Sequence, residues 1–237
     1  MESKAPRARL EAALLVTLVA LSVLVGLFLP MPARAGDCPG DYQIQGAPSE
    51  NGRGVRVGGD HPGMFVGNAG IGCARASSIG VVNSSGTRFV ELGWYEEEQN
   101  VTPCPGSFGP PRILVAKYVN GTFTCDLQNS ITDTPRNDDF KVSDPDQDGD
   151  WNYYRNSDGL GFYGLGSFTS GQPVVNGERK SDHADPTMYA NFRGLDRMGA
   201  SQDWSEWSGT HTYGDSDPDF SGCLRSPIHI EMPEQCS

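Results

Sequence analysis

Positive charge, histidine, helical periodicity and metal-type cysteine spacing are all scarce in this chain. Its 237 residues carry 18 Lys and Arg against 30 Asp and Glu, a formal net charge of −12. Such a surface repels a phosphate backbone, which excludes nucleic acid as a partner. The four histidines (His61, His183, His211, His229) are scattered and no Cys-x-x-Cys occurs, so zinc has no local framework. No histidine sits in a context that marks a Ser-His-Asp triad. Gly164-Leu-Gly166-Ser-Phe lacks both the spacing and the following helix of a nucleophile elbow. Glycine pairs such as Gly159-Leu-Gly161 lack the strand-to-helix setting of a nucleotide loop. No internal repeat and no second long apolar run are present.

The one long apolar run, Ala12 to Leu29, follows Lys4, Arg7 and Arg9 and precedes Ala33-Arg34-Ala35. A basic start, an apolar stretch and a small-x-small site form a secretory signal, with cleavage expected after Ala35. The run is also long enough for a retained anchor. On the first expectation residues 1–35 are removed and the mature protein is extracellular and free of the membrane. Taking away Lys4, Arg7, Arg9 and Arg34 with Glu2 and Glu11 leaves 14 basic against 28 acidic residues, net −14. The remaining ~200 residues suffice for one domain with a real core, expected as a monomer. All six cysteines lie in this part, and an even count in an exported chain reads as a disulfide framework. The expected pairs are Cys104 with Cys125, which would staple neighbouring strands, Cys223 with Cys236, and Cys38 with Cys73.

Residues 36–77 are rich in Gly, Pro, Asp and Asn, with short extended pieces such as Val55-Arg-Val57, and read as a loop-rich extension with edge strands. Stronger strands follow within residues 78–237: Ser78 to Val82, Arg88 to Tyr95, Arg112 to Val119, Thr122 to Cys125, Phe140 to Val142, Trp151 to Arg155, Leu160 to Leu165, Gln172 to Ser181 and Pro227 to Met232. Only Asp185 to Arg197, with Met188, Tyr189, Phe192 and Leu195, has room for a helical turn. Short strands, turn signals roughly every 8–12 residues and abundant Gly predict an all-β fold. We expect a two-sheet antiparallel sandwich of jelly-roll or lectin-like type, stapled by disulfides. The sequons at Asn83, Asn100 and Asn120 fall at predicted turns or loops.

The clearest strand places a carboxylate among aromatics. Alternation gives Val90, Leu92 and Trp94 one face, the core, and Phe89, Glu91, Gly93 and Tyr95 the other. Glu178 also falls inside a predicted strand, unlike most acids here. Two carboxyls facing each other across a groove split their ionisation, so that one serves as acid and the other as base. The competing reading is two outward-facing strand residues with ordinary ion pairing.

Two further constellations stand out. Asp144, Asp146 and Asp148 alternate ahead of Gly149 and Asp150, the first half of a calcium loop in which side-chain oxygens converge on one hard cation. Position twelve of that loop is Arg155 rather than a bidentate Glu, and a polar turn between strands accounts for the same residues. The aromatic residues Tyr95, Trp151 and Tyr153, with Tyr154, Phe162, Tyr163, Trp204 and Trp207, are numerous for a polar chain. Exposed on a sheet they would stack on sugars, with Tyr95, Trp151 and Tyr153 as the ligand-binding candidates; turned inward they are core.

The Glu-x-Gly-Trp of Glu91 to Trp94 resembles a strand of the neprosin-type and fungal glutamic peptidases, in which an acidic or amide residue precedes a glycine by two positions. Asn176-Gly-Glu178-Arg179 followed by Ala190-Asn-Phe192 resembles their second glutamate and its following loop, although the Trp expected beside it is missing. The likeness spans roughly residues 78–232 as a layout. It implies a lectin-like sandwich whose concave sheet holds the catalytic pair, Glu91 first and Glu178 second. Two functions therefore stand: a non-catalytic extracellular module binding carbohydrate or another cell-surface ligand, with structural calcium, as the first expectation, and a glutamic-peptidase-like hydrolase using Glu91 and Glu178 as the alternative.

Overall fold

Runs of Val, Ile and aromatic residues interrupted by Gly, Asn and Asp favour short pleated strands over helices, because branched and aromatic side chains pack well on a half-buried sheet. The computed structural model describes residues 40–59, 63–66, 74–97, 104, 109–131, 136–181, 190–214, 223–226 and 229–232, and no helix occurs among them. The strands are β1 (Gly40–Ala47), β2 (Gly54–Val57), β3 (Met64–Val66), β4 (Ala74–Val82), β5 (Arg88–Glu97), β6 (Gly109–Val119), β7 (Thr122–Ser130), β8 (Arg136–Asp138), β9 (Phe140–Ser143), β10 (Asp150–Arg155), β11 (Asp158–Gly164), β12 (Gln172–Ser181), β13 (Ala190–Arg193), β14 (Asp196–Met198), β15 (Trp204–Glu206), β16 (His211–Gly214), β17 (Cys223–Ser226) and β18 (His229–Met232).

A seven-stranded sheet runs β16-β1-β12-β4-β5-β6-β7, a six-stranded sheet β11-β10-β9-β2-β14-β15, and a five-stranded sheet β17-β18-β13-β3-β8. Neighbouring strands pair antiparallel, β4 with β5 and β12 among them. Successive strands β2 and β3, β8 and β9, and β13 and β14 divide between the two smaller sheets, which together form the layer opposite the seven-stranded one. The core fills the space between layers: Ile79, Val90, Leu92 and Trp94 from one side meet Val55, Phe140, Trp151 and Phe192 from the other. Val90, Leu92 and Trp94 are the core face that alternation predicts, each at most 1% exposed. The β6–β7 hairpin turns on Asn120 and Gly121, with φ of 48° and 93°, the left-handed pair that a two-residue turn between right-twisted strands requires.

The sandwich expected from the sequence is the fold observed. The described residues within 36–77, however, are built into the sheets rather than forming an extension with edge strands. β1 lies between β16 and β12, β2 between β9 and β14, and β3 between β13 and β8. Their partners are distant in sequence, and short strands between glycine-rich loops give no local sign of a central position. The helical turn expected over Asp185 to Arg197 is also corrected where that segment is described: it forms β13 and part of β14, with Gly194 turning between them at φ 66°. Phe192 and Leu195 are three apart, as on a helix face, but they reach the core from either side of that turn.

Cys104 and Cys125 are bonded as expected, with Cα atoms 5.5 Å apart. Cys38, Cys73 and Cys236 of the other two expected pairs, the secretory leader and Asn100 lie outside the described residues. Asn83 and Asn120 sit at hairpin turns.

One ion cluster joins the two smaller sheets. Asp138 at the end of β8 is fully buried. Its carboxylate accepts hydrogen bonds from Arg136 Nε at 3.0 Å, Arg155 Nε at 3.1 Å and Asn156 Nδ2 at 2.8 Å. Arg155 belongs to β10 of the six-stranded sheet, so the carboxylate ties one sheet to the other. Breaking a buried pair leaves uncompensated charge, here two guanidinium groups. Asp138→Ala is expected to cost about 3–5 kcal/mol in urea unfolding at neutral pH.

Candidate active site on the outer face

On the outer face of the seven-stranded sheet, antiparallel register sets side chains in rows. One row runs Cys125, Ala116, Glu91, Gly80, Val174 across β7, β6, β5, β4 and β12. The next runs Leu127, Leu114, Gly93, Ser78, Asn176 and Gln45, ending on β1. Glu91 thus stands diagonal to Ser78 and Asn176.

Gly93 makes this diagonal short. A Cβ there would run into the Ser77 carbonyl oxygen and Ser78 Cα, so only glycine lets β4 lie this close at that point. The Ser78 hydroxyl donates a hydrogen bond to Glu91 Oε1. The Asn176 side chain hydrogen-bonds the same carboxyl. Ser78 is fully buried and Asn176 nearly so, and Asn176 Oδ1 has no hydrogen-bond partner among the described residues. The carboxyl opens into a pocket of about 30 Å³, room for one or two waters or the tip of a ligand. Gln45, Ser78 and Asn176 line its polar end, and Gly80, Val82, Phe89 and Val174 its apolar end.

Burial dominates the electrostatics. Loss of hydration pushes the Glu91 carboxyl above the ordinary glutamate value of 4.5, and the hydrogen bonds from Ser78 and Asn176 pull it back only in part. The result is a carboxyl that keeps its proton to higher pH than usual and is a stronger base once ionised. An acid–base group poised this way, with a hydroxyl and an amide around it, can shuttle a proton to and from a bound molecule.

Glu178 is not part of this contact. It lies on the same face in the row with Ala76 and Tyr95, two strands and four residues from Glu91. Strand spacing and rise put the two Cα atoms about 17 Å apart, too far for the carboxyls to share a proton. The side chains that reach Glu91 are Ser78 and Asn176. Asn176 precedes Glu178 by two and so shares its face; only the register of β12 on β4 decides which of the two approaches Glu91.

The aromatic candidates are corrected as well. Trp151 and Tyr153 are fully buried, because alternation along β10 turns them inward. Trp151 Nε1 donates to the Phe168 carbonyl at 2.7 Å, and the Tyr153 hydroxyl donates to the Ala116 carbonyl at 3.2 Å. Tyr95 is on the outer face but buried in a small cluster with Ala76, Cys104, Leu114 and Ala116. None of the three offers a ring face to a ligand. The half-buried rings beside the pocket are instead Phe89, Tyr118 and Phe123.

Nor do Asp144, Asp146, Asp148 and Asp150 converge as calcium ligands. Asp144 is buried, with Oδ2 accepting from Gly149 N at 3.1 Å, and Asp148 Oδ1 accepts from Asp150 N at 2.9 Å. These contacts are those of a turn, with Asp144 Oδ1 left buried and without a hydrogen-bond partner, and among the described residues no group of three or more acidic, His or Cys side chains is gathered for a metal.

No protein-family model and no curated protein matches the chain. Among solved structures, scytalido-glutamic peptidase with a peptide-based transition-state analogue aligns over 83% of this chain and 98% of its own, with TM-score 0.54 and 10% identity. The eqolisin-family peptidase SCP-B aligns over 81% and 96%, with TM-score 0.47 and 9% identity. A carbohydrate-binding module from Bacillus subtilis aligns over 60% and 80%, with TM-score 0.40 and 10% identity. The first of these shows a shared sandwich fold.

The raised Glu91 value couples to stability with a definite sign. Stability referred to this group is fully present below the unfolded value near 4.5 and is lost as pH rises through the higher folded value. Glu91→Gln removes the titration. Urea unfolding of the two proteins should therefore diverge between pH 4 and pH 8, with wild type losing ground to the variant as pH rises.

Proposed function

We propose that the protein is a secreted hydrolase of glutamic-peptidase type that cleaves peptide bonds with Glu91 as its acid–base group. The observation that carries this reading is the Glu91 carboxyl itself: desolvated, held by Ser78 and Asn176, and open to a pocket. A carboxyl in that setting is costly for a strand and useful for proton transfer.

In this reading the ionised Glu91 takes a proton from a water while the water oxygen bonds to the peptide carbonyl carbon. The pocket amides of Asn176 and Gln45 are the neutral donors available to the carbonyl oxygen as it gains charge, which low-dielectric surroundings make effective. Glu91 then gives the proton to the departing nitrogen as the carbon–nitrogen bond breaks. A new carboxyl and a new amine leave, and the Glu91 carboxylate is restored. Ser78 holds one carboxyl oxygen and so fixes which one faces the pocket.

A non-catalytic carbohydrate-binding reading has one supporting feature, the half-buried rings of Tyr154 and Trp204 on the six-stranded sheet. Lys141 Nζ and Arg56 Cζ lie over them, 3.7 and 4.9 Å from the ring centroids, and compete with a sugar for those faces.

Digestion of unfolded casein from pH 3 to 8 tests the hydrolase. The acid limb of kcat/KM should fall at a pKa above 4.5, and Glu91→Gln should lose at least about 100-fold. Ser78→Ala removes a hydrogen bond that lowers the Glu91 value, so its acid limb should move to higher pH. Equal cleavage by wild type and Glu91→Gln removes Glu91 from the chemistry.

A further inference from the structure

The row next to Glu91, one step nearer the β4–β5 turn, runs Phe123, Tyr118, Phe89 and Val82 across β7, β6, β5 and β4. Phe89 and Tyr118 stack with centroids 5.2 Å apart at 8°, and Phe123 tilts against Phe89 at 6.2 Å. All three rings are half-buried, so the row keeps an accessible edge. Large apolar side chains on the face of a sheet away from the core lose the benefit of burial unless something covers them. Phe89 and Val82 also line the Glu91 pocket, so shelf and pocket form one continuous surface.

The chemistry of the shelf selects its occupant. A sugar needs polar partners for its hydroxyls, and the row offers the Tyr118 hydroxyl alone. The nearby Gln172 amide is already donated to the Pro48 carbonyl at 3.1 Å. Mutual stacking covers one face of both Phe89 and Tyr118, and the ring surface that remains, with that of Phe123, suits an aliphatic or aromatic side chain. Phe89 is two residues from Glu91 on β5, about 7 Å along the strand, the span of two residues of an extended peptide.

We propose that Phe89, Tyr118, Phe123 and Val82 form a specificity shelf that binds one bulky apolar side chain of an extended peptide, within two residues of the bond presented to Glu91. The placement beside a scissile bond rests on the hydrolase reading; binding of the side chain does not.

The test separates the two. Full-length mature Glu91→Gln protein is titrated with fluorescent, end-blocked octapeptides of Ala, Gly and Ser carrying a single Phe, and with the same peptides carrying Ser in its place. The Phe peptides should bind about tenfold tighter or better. That gap should close in the Phe123→Ser and Tyr118→Ser backgrounds and survive in Tyr118→Phe. Equal affinity for the two peptide sets, or binding of neither, overturns the shelf, and because the decisive comparison changes only the peptide it does not depend on how the shelf variants fold. A Phe preference in binding without cleavage by wild type keeps the shelf and sinks the hydrolase.

Discussion

The close approach of β4 to β5 at Gly93 is the constraint on which the rest of the outer face depends. With no Cβ in the way, the Ser77 carbonyl and the Ser78 backbone sit against Gly93, and the Ser78 hydroxyl lands on the Glu91 carboxyl. The same register carries through β4 to β12 and fixes Asn176 on the far side of Ser78. A slip by one residue would turn Glu91 into the core and Leu92 out to solvent, which the packing of Val90, Leu92 and Trp94 forbids. The inner face therefore enforces the geometry of the outer one.

The outer face divides into three zones around Glu91. Toward β6 and β7 the Cys104–Cys125 bond seats Cys104 against Tyr95, Leu114 and Ala116, with Cys125 in the same row as Glu91. Toward the β4–β5 turn lie the rings of Phe89, Tyr118 and Phe123. Toward β12 and β1 lie the amides of Asn176 and Gln45. The Glu91 carboxyl is thus bordered by a covalently fixed apolar cluster, an apolar shelf and a pair of amides, with β4 and β12 each contributing to both the apolar and the polar lining.

How much of this was legible depends on the range of the interaction. Strands β5 and β6 follow from their branched and aromatic residues, and the Val90, Leu92, Trp94 face follows from period two alone. The Cys104–Cys125 pair was readable because Cys104 precedes β6 and Cys125 lies in β7, the strand that returns beside it. Glu91 was readable as a charge in the wrong place. Its partners were not, because Ser78 and Asn176 are selected by pairing across three strands, and sequence spacing leaves Asn176 and Glu178 equivalent. Trp151 and Tyr153 share a period-two face that could point either way; their packing against the opposite layer settles it inward. The aspartate loop is ambiguous for a different reason: carboxylates at alternate positions suit a metal and also suit a turn, and here backbone amides take Asp144 Oδ2 and Asp148 Oδ1.

Stability gives no reason for a carboxyl at position 91. Its folded value lies above the unfolded one, so at neutral pH ionisation works against the fold, and the opposing hydrogen bonds from Ser78 and Asn176 do not cancel the cost of burial. Glutamine has nearly the same shape, accepts the Ser78 hydroxyl through its carbonyl oxygen and carries no charge to desolvate. A fold selected only to persist would be served as well or better by the amide. What glutamate adds is a proton that can leave and return, and the pocket beside it is where such a proton has somewhere to go.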